Sequence, residues 1–403
     1  MLFQTPCSLS RSLLFLALAI SLMVLSGCSL LTMSSDQTQK KAELKLSPAS
    51  FSDLKGWKTD SLVDSITALS ASCKKIKAVD ANKKMGVDAR MGTYRDWQNI
   101  CTNLPDTNLS DSNRLHDFFE HWFIPYHMSG NDYPEGLFTG YYEPTLYGSL
   151  IKTSEYNIPL RSRPQDLVMV NLGEFRDELK GQRIAGRVRD GHLKPYEDRA
   201  AIEDGKLPVQ SDVPLLWVKN AVDAFFLQIQ GSGVVILPDG SAVRVGYDGQ
   251  NGHVYTAIGK ELINRGVLTK ENVSMQTIRQ WLEAHPQEGR DVMRTNKSYV
   301  FFRQLDTDGP VGAQGVVLTA ERSLAIDPVF IPYGVPIFID VENPEASAGN
   351  IRSLVIAQDT GGAIKGPVRG DLFWGYGDQA AHMAGLMKSK GQAWILLPRE
   401  VQR

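Results

Sequence analysis

Two aspartates on one glycine-rich segment carry the strongest chemical signal in the chain. The segment reads Asp359-Thr360-Gly361-Gly362-Ala363-Ile364-Lys365-Gly366-Pro367-Val368-Arg369-Gly370-Asp371 and runs on into Leu372-Phe373-Trp374-Gly375. Asp359 closes one apolar run and Asp371 opens another, so a loop that folds back brings both carboxyls to the mouth of one sheet. There a neighbouring negative charge, or burial against Phe373 and Trp374, raises the pKa of a carboxyl. A carboxylic acid that keeps its proton near neutrality is a general acid. The same residues also suit turn caps that accept from backbone amides, and residue types alone leave both readings open.

Most portable catalytic signatures are absent. The sequence has no Gly-x-Ser-x-Gly elbow, no His-Glu-x-x-His, no cysteine pairs at zinc spacing and no phosphate-binding Walker loop. The 7 histidines, His116, His121 and His382 among them, lie in unrelated contexts and read as surface or satisfied core side chains rather than ligands. Gly231-Ser232-Gly233 reads as well as a tight strand turn as it does as a nucleophile site. With 43 Lys+Arg against 45 Asp+Glu and no long single-sign run, a polybasic nucleic-acid binder is excluded. A hydrophobic fraction of 42% excludes a disordered chain.

The elements that must position the aspartates follow from periodicity. At 403 residues the chain is long enough for two or three domains, and Gly 35 with Pro 20 suits strands and turns. Apolar spacings of three and four predict helices near 61 to 77, 92 to 103 and 111 to 123, the last opened by Asp111 and carrying Leu115, Phe118, Phe119 and Trp122. Leu62, Ile66, Leu69, Cys73 and Ile76 share one face, as do Tyr94, Trp97, Cys101 and Leu104. Cys73 and Cys101 are therefore either bridged or two buried thiols. Phe138 to Glu143 reads as a strand that stops at Pro144, which lacks a backbone donor. A short helix is predicted over 221 to 226. A hairpin follows, with Val234 to Leu237 and Ala242 to Val245 flanking Pro238-Asp239-Gly240. Helical spacing returns over 256 to 264 and over 274 to 284, where Ser274 is the cap. Strands then take Tyr299 to Phe302, Gly315 to Leu318, Val335 to Ile339 and Ser353 to Ala357.

The start of the chain adds an address. Arg11, the apolar run Leu13 to Leu25 and then Leu25-Ser26-Gly27-Cys28 read as an export signal, too short to span a bilayer, ending in a segment that resembles a bacterial lipobox. Residues 1–27 are then the signal, Cys28 the acylated anchor, and 28–45 a tether to the membrane. Ser29, where an aspartate would retain the protein at the inner membrane, implies an outer-membrane lipoprotein facing the periplasm of a Gram-negative bacterium. A disulfide is chemically permitted there.

The aspartate loop, together with Phe138-Thr139-Gly140-Tyr141-Tyr142-Glu143-Pro144, Phe226-Leu227-Gln228-Ile229-Gln230-Gly231-Ser232-Gly233 and Asn296-Lys297-Ser298-Tyr299-Val300-Phe301-Phe302, resembles the membrane-bound lytic murein transglycosylase A family. The four motifs stand in the family's order and span nearly the whole exported chain. The resemblance implies a mainly β protein with an N-terminal helical cap: a double-psi β-barrel from 46–144 and 297–403, an inserted β-rich domain over 145–296, and a groove between them. It implies cleavage of the β-1,4 bond between N-acetylmuramic acid and N-acetylglucosamine in peptidoglycan, without water and with a 1,6-anhydro product. Asp371 falls on the catalytic aspartate and Asp359 on its supporting partner. Thr139, Gly140, Tyr141 and Tyr142 would line the groove, and Gln230, Ser232 and Gly233 would add polar contacts from the insert. Lys365 and Arg369 read as solvated loop charges. No metal or cofactor is implied. The expected partners are glycan strands and the membrane, for a monomer that leaves room for contact with cell-wall synthesis proteins. A hydrolase with Asp359 as base and a catalytically idle glycan-binding lipoprotein are the competing readings.

Overall fold

The computed structural model describes residues 42–105, 111–131 and 133–402. The export signal, Cys28 and the tether as far as residue 41 lie outside the described residues. The chain begins with strand β1 (Leu44–Pro48), then helices α1 (Val63–Ile76), α2 (Tyr94–Thr102) and α3 (Ser112–Trp122), then β2 (Phe123–Gly130) and β3 (Gly136–Glu143). Leu44 and Lys45, read from sequence as the end of the tether, already pair with Gly130 and Ser129 of β2. The three helices bury the predicted apolar stripes, and Asp111 caps α3 by accepting from the backbone N–H groups of Asn113 and Arg114. A disulfide joins Cys73 of α1 to Cys101 of α2 with 5.4 Å between their Cα atoms.

The middle of the chain holds β4 (Thr145–Ser149), β5 (Ile158–Arg161), β6 (Val168–Asn171), β7 (Arg183–Arg189), β8 (His192–Pro195), α4 (Arg199–Glu203), β9 (Pro214–Val218), α5 (Ala221–Gln230), β10 (Ser232–Ile236) and β11 (Ala242–Gln250). Helices α6 (Ile258–Asn264), α7 (Met275–Ala284) and α8 (Pro286–Thr295) precede β12 (Val300–Gln304). The chain closes with β13 (Ser323–Ala325), β14 (Pro336–Val341), β15 (Ile351–Asp359), β16 (Arg369–Tyr376), α9 (Asp378–Leu386) and β17 (Lys388–Pro398).

Strands from the two ends of the chain share one sheet in the order β1-β2-β17-β14-β15-β13-β16-β3. A further pairing of β17 with β3 closes β17, β14, β15, β13, β16 and β3 into a six-stranded barrel. Leu354, Val355, Ile356 and Ala357 of β15 are all buried, because the barrel covers one face of the strand and α1 the other. Ser65 of α1 donates to the Leu354 carbonyl, and the buried Gln358 side chain donates to the Ala68 carbonyl and the Ser72 hydroxyl. The residue before Asp359 is thus tied to the helical cap.

A second sheet runs β12-β11-β10-β4-β9-β5, and one parallel bridge between Ser162 and Phe302 draws its edges together. A three-stranded sheet, β6-β7-β8, accompanies it. The predicted hairpin forms as β10 and β11, and Ser274 caps α7. Two expectations fail. β12 was placed with the barrel but pairs with β11, because Phe302 buries in the core of the second sheet and Phe301 beside Tyr196 and Ile202. Gly315 to Leu318 is a turn rather than a strand: Gly315 has a φ of 78°, outside extended backbone, and only the Val311–Val317 bridge forms.

Candidate active site

The site is built on one row across the barrel wall. Asp371 on β16 stands opposite Thr139 of the parallel strand β3 and, on its other side, opposite Ala325 of β13. Ala325 in turn stands opposite Asp359 at the end of β15. Directly opposed residues project from the same face. Both aspartates, Thr139 and, two residues along, Tyr141 and Phe373 therefore share a face. Phe138 and Leu372 alternate onto the other face and belong to the main core. The segment after Asp359 folds back as its glycines permit. Thr360 donates to the Ile326 carbonyl, and Gly366, at a φ of 120°, donates its N–H to Asp327.

The two carboxyls have different surroundings. Asp359 Oδ1 accepts from the backbone N–H groups of Ala313 and Thr360, each at 2.8 Å, and its Oδ2 accepts from the Tyr141 hydroxyl at 2.9 Å. Burial raises its pKa above the ordinary carboxyl value, and those three donors oppose the rise without cancelling it. Asp371 Oδ1 accepts from the Thr139 hydroxyl at 2.5 Å. Burial pushes the Asp371 carboxyl up to about 6 against the opposing Thr139 bond and Arg369 charge, and the negative charge of Asp359 adds to the rise. The burial has a named source: Tyr141, Leu318, Ala325, Ile364 and Phe373 form an apolar cluster on this face, with the Tyr141 and Phe373 rings 5.2 Å apart. Asp371 is thus pushed up to about 6 with one hydrogen-bonded oxygen, whereas Asp359 has both oxygens engaged.

The other sequence-predicted residues divide by strand alternation. Thr139 and Tyr141 join the aspartate row. Gly140 and Tyr142 face the other way. A Cβ at Gly140 would fall 2.5 Å from Trp374 Nε1 and 2.8 Å from the Ala384 Cα, so glycine is what lets α9 lie against β3. The Tyr142 backbone N–H donates to Gln230 Oε1 at 3.0 Å, which spends the Gln230 carbonyl on joining the insert to β3. Gly233 packs against Leu227 and the Pro144 carbonyl, and Ser232 sits beside it at the head of β10. Lys365 is exposed. Arg369 is not a solvated charge: its guanidinium donates to Thr139 Oγ1 at 2.8 Å.

Sequence reading missed two tyrosines. Tyr255, on the segment between β11 and α6, comes from the insert to lie against Gly362, and the charge of Asp371 adds to the burial that raises its phenol. Tyr333 is pushed up to about 12 by burial, with the Asp359 charge adding to the rise. Neither belongs to a periodic run, so nothing local marks it. Two contacts hold the insert to the barrel around this groove. A Cβ at Gly181 would lie 2.3 Å from Val329, and Gln276 of α7 donates to the Ala381 and His382 carbonyls of α9.

The profile of the MltA specific insert domain matches residues 137–303, and that of the 3D domain matches residues 322–397. The chain is 34% identical over 276 residues to the membrane-bound lytic murein transglycosylase A of Escherichia coli strain K12, covering 67% of this chain and 68% of that one. The chain belongs to the membrane-bound lytic murein transglycosylase A family. It is an enzyme of that family, with the family's double-psi barrel and β-rich insert. The crystal structure of the membrane-bound lytic murein transglycosylase from Agrobacterium tumefaciens is similar to it at a TM-score of 0.78 and 32% identity, over 88% of this chain and 98% of that one. MltA from Neisseria gonorrhoeae is similar at 0.71 and 32%, over 89% and 93%. Escherichia coli MltA solved with bound chitohexaose is similar at 0.59 and 26%, over 88% and 91%. The family match runs through both sides of the groove, the β3 motif at the start of the first profile and Asp359 and Asp371 within the second.

Proposed function

We propose that the chain cleaves the β-1,4 bond between N-acetylmuramic acid and N-acetylglucosamine in peptidoglycan without water, leaving a 1,6-anhydro ring, with Asp371 as both acid and base. The observation that carries this reading is the inequality of the two carboxyls. Asp371 is pushed up to about 6 and has one hydrogen-bonded oxygen, whereas Asp359 accepts from three donors with both of its oxygens. A hydrolase needs a second carboxylate free to activate water or attack carbon. The three donors to Asp359 orient both of its oxygens and oppose the rise that burial gives its pKa, an arrangement suited, when Asp359 is ionised, to stabilising the positive sugar centre as it develops.

The steps then balance on one residue. Protonated Asp371 donates to the leaving glycosidic oxygen as the bond to the anomeric carbon breaks. As a carboxylate it next accepts the proton of the C6 hydroxyl, whose oxygen bonds the same carbon and closes the anhydro ring. The net proton moves from the C6 oxygen to the leaving oxygen, and Asp371 is regenerated. The attacking group is already tethered to the sugar, and in favourable systems such tethering is worth about 7 to 11 kcal/mol. Tyr255 from the insert and Tyr333 from the barrel are the tyrosines whose phenols feel the charges of Asp371 and Asp359, and a tyrosine offers a sugar both a ring face and a hydroxyl.

The anchor belongs to the same proposal. An acylated Cys28 holds the enzyme on the periplasmic face of the outer membrane, within reach of the wall. No described helix is long and apolar enough to cross a membrane.

The test is mass spectrometry of muropeptides released from purified sacculi by the wild type and by Asp371→Asn. Anhydro-muramyl ends from the wild type alone are the expected result. Reducing ends would convert the reading to a hydrolase, and release by Asp371→Asn would remove Asp371 from its role.

A further inference from the structure

Arg369 sits two residues before Asp371 on β16 and on the same face, opposite Leu137 of β3. Its guanidinium is held as a fork. Nη1 donates to the Leu137 carbonyl at 3.2 Å and to the carbonyl of Gly370, and Nη2 donates to Thr139 Oγ1 at 2.8 Å. The Thr139 hydroxyl then donates to Asp371 Oδ1 at 2.5 Å. A guanidinium has donors only, so Thr139 must accept from it, and the one hydroxyl proton is left for Asp371.

We infer that Arg369 is a positioning residue that acts through Thr139 to keep the acidic proton of Asp371 on Oδ2. The inference rests on the proposed role of Asp371 as acid. With the Thr139 proton directed at Oδ1, a proton on Oδ1 would meet it head-on, whereas Oδ2 has no hydrogen-bond partner among the described residues. Oδ2 is thus the oxygen free to donate to substrate. A lysine in place of Arg369 would carry the charge without the planar fork that spans two backbone carbonyls and a hydroxyl. The groups facing Asp371 are Thr139 and Tyr141 from β3, Asp359 from β15 and Tyr255 from the insert, with Lys388 of β17 opposite Thr139 in the same row. Beside these, Arg369 is the cation that lowers the Asp371 pKa directly.

The experiment compares the exported chain, purified in detergent, as wild type, Arg369→Met, Arg369→Lys, Thr139→Val and the double variant, following solubilisation of sacculi from pH 4 to 8. Arg369→Met is expected to lower the maximum rate at least about tenfold and to move the alkaline limb up by about one pH unit, because the carboxylate loses a nearby cation and an oriented donor. Arg369→Lys is expected to leave the limb near its wild-type position with a reduced rate. Adding Arg369→Met to Thr139→Val is expected to cost less in rate than Arg369→Met alone, since the arginine works through the threonine. An unmoved limb in Arg369→Met, or strictly additive rate losses in the double variant, would overturn the inference. Should Arg369→Met fail to fold, the limb of Thr139→Val decides in its place. Asp371→Asn in parallel separates the two claims: if it remains active the acid assignment falls, whereas if it is inactive and the Arg369→Met limb is unmoved, only the positioning role falls.

Discussion

Glu143, the last residue of β3, and Arg244 of β11 form a buried ion pair across the junction of barrel and insert, with Arg244 Nη1 2.6 and 2.5 Å from the two carboxylate oxygens. The Glu143 side chain is 1% exposed, and burial raises its pKa against the pull of Arg244. Arg244→Met would strand that charge, at a cost of about 3 to 5 kcal/mol. A charge-free pair, Glu143→Leu with Arg244→Met, is expected to recover much of the loss. Urea unfolding of the two variants checks the order, and equal midpoints would show that the pair is not coupled.

Asp371 makes a stability prediction with a definite sign. Its folded pKa of about 6 lies above the ordinary 3.8, so the folded state binds the proton more tightly than the unfolded chain. Below the ordinary value both states are protonated and the group is neutral to stability. Above pH 6 it is ionised in both and disfavours the fold in full, by on the order of 3 kcal/mol. Asp371→Asn keeps an oxygen for Thr139 and removes the charge. The variant is therefore expected to melt a few degrees above wild type at pH 7.5, with the gap closing by pH 3.5. A variant that melts lower at pH 7.5 would contradict the buried-acid picture.

Tyr141→Phe removes the one side-chain donor to Asp359 among the described residues while keeping the ring against Phe373. A hydrogen bond to a charged group contributes about 1.5 to 3 kcal/mol. Lysis of sacculi by this variant is expected to fall about tenfold or more. The loss should appear in rate rather than in sacculus binding, because the phenol is spent on Asp359. Weakened binding at unchanged rate would show that Tyr141 serves the glycan instead.

The Cys73–Cys101 bridge closes a loop with a sequence separation of 28. Chain-entropy arguments give such a loop about 3 to 4 kcal/mol. Cys73→Ser with Cys101→Ser is expected to lower the urea midpoint, and reducing agent should lower the wild type to match while leaving the double variant unchanged. Wild type insensitive to reductant would show that the helical cap stands without its bridge.

Legibility differed by the range of the interactions involved. Helices α1 to α3 were read within two residues at each end, because an amphipathic stripe and a cap such as Asp111 are local. The β3 motif and the β10–β11 hairpin were equally plain, since Pro144 and Pro238-Asp239-Gly240 mark their ends in the chain itself. Gly315 to Leu318 misled because four apolar residues look extended whether or not a neighbouring strand exists to pair them. β12 was assigned to the wrong sheet because β alternation names a buried face without naming the partner strand.

The same divide runs through the site. Sequence alone determined that Asp359 and Asp371 bracket a glycine-rich segment and that Thr139 and Tyr141 lie on one strand ending at Pro144, because spacing and periodicity are properties of one segment. Only the tertiary structure decided that Ala325 stands between the aspartates, that Thr139 serves Asp371 while Tyr141 serves Asp359, and that Arg369 turns inward to Thr139. The contacts of Thr139, Tyr141 and Arg369 join residues more than two hundred positions apart across the β16–β3 pairing. The difference between the two carboxyls exists only once the fold has buried both and given Asp359 three hydrogen-bond donors and Asp371 one.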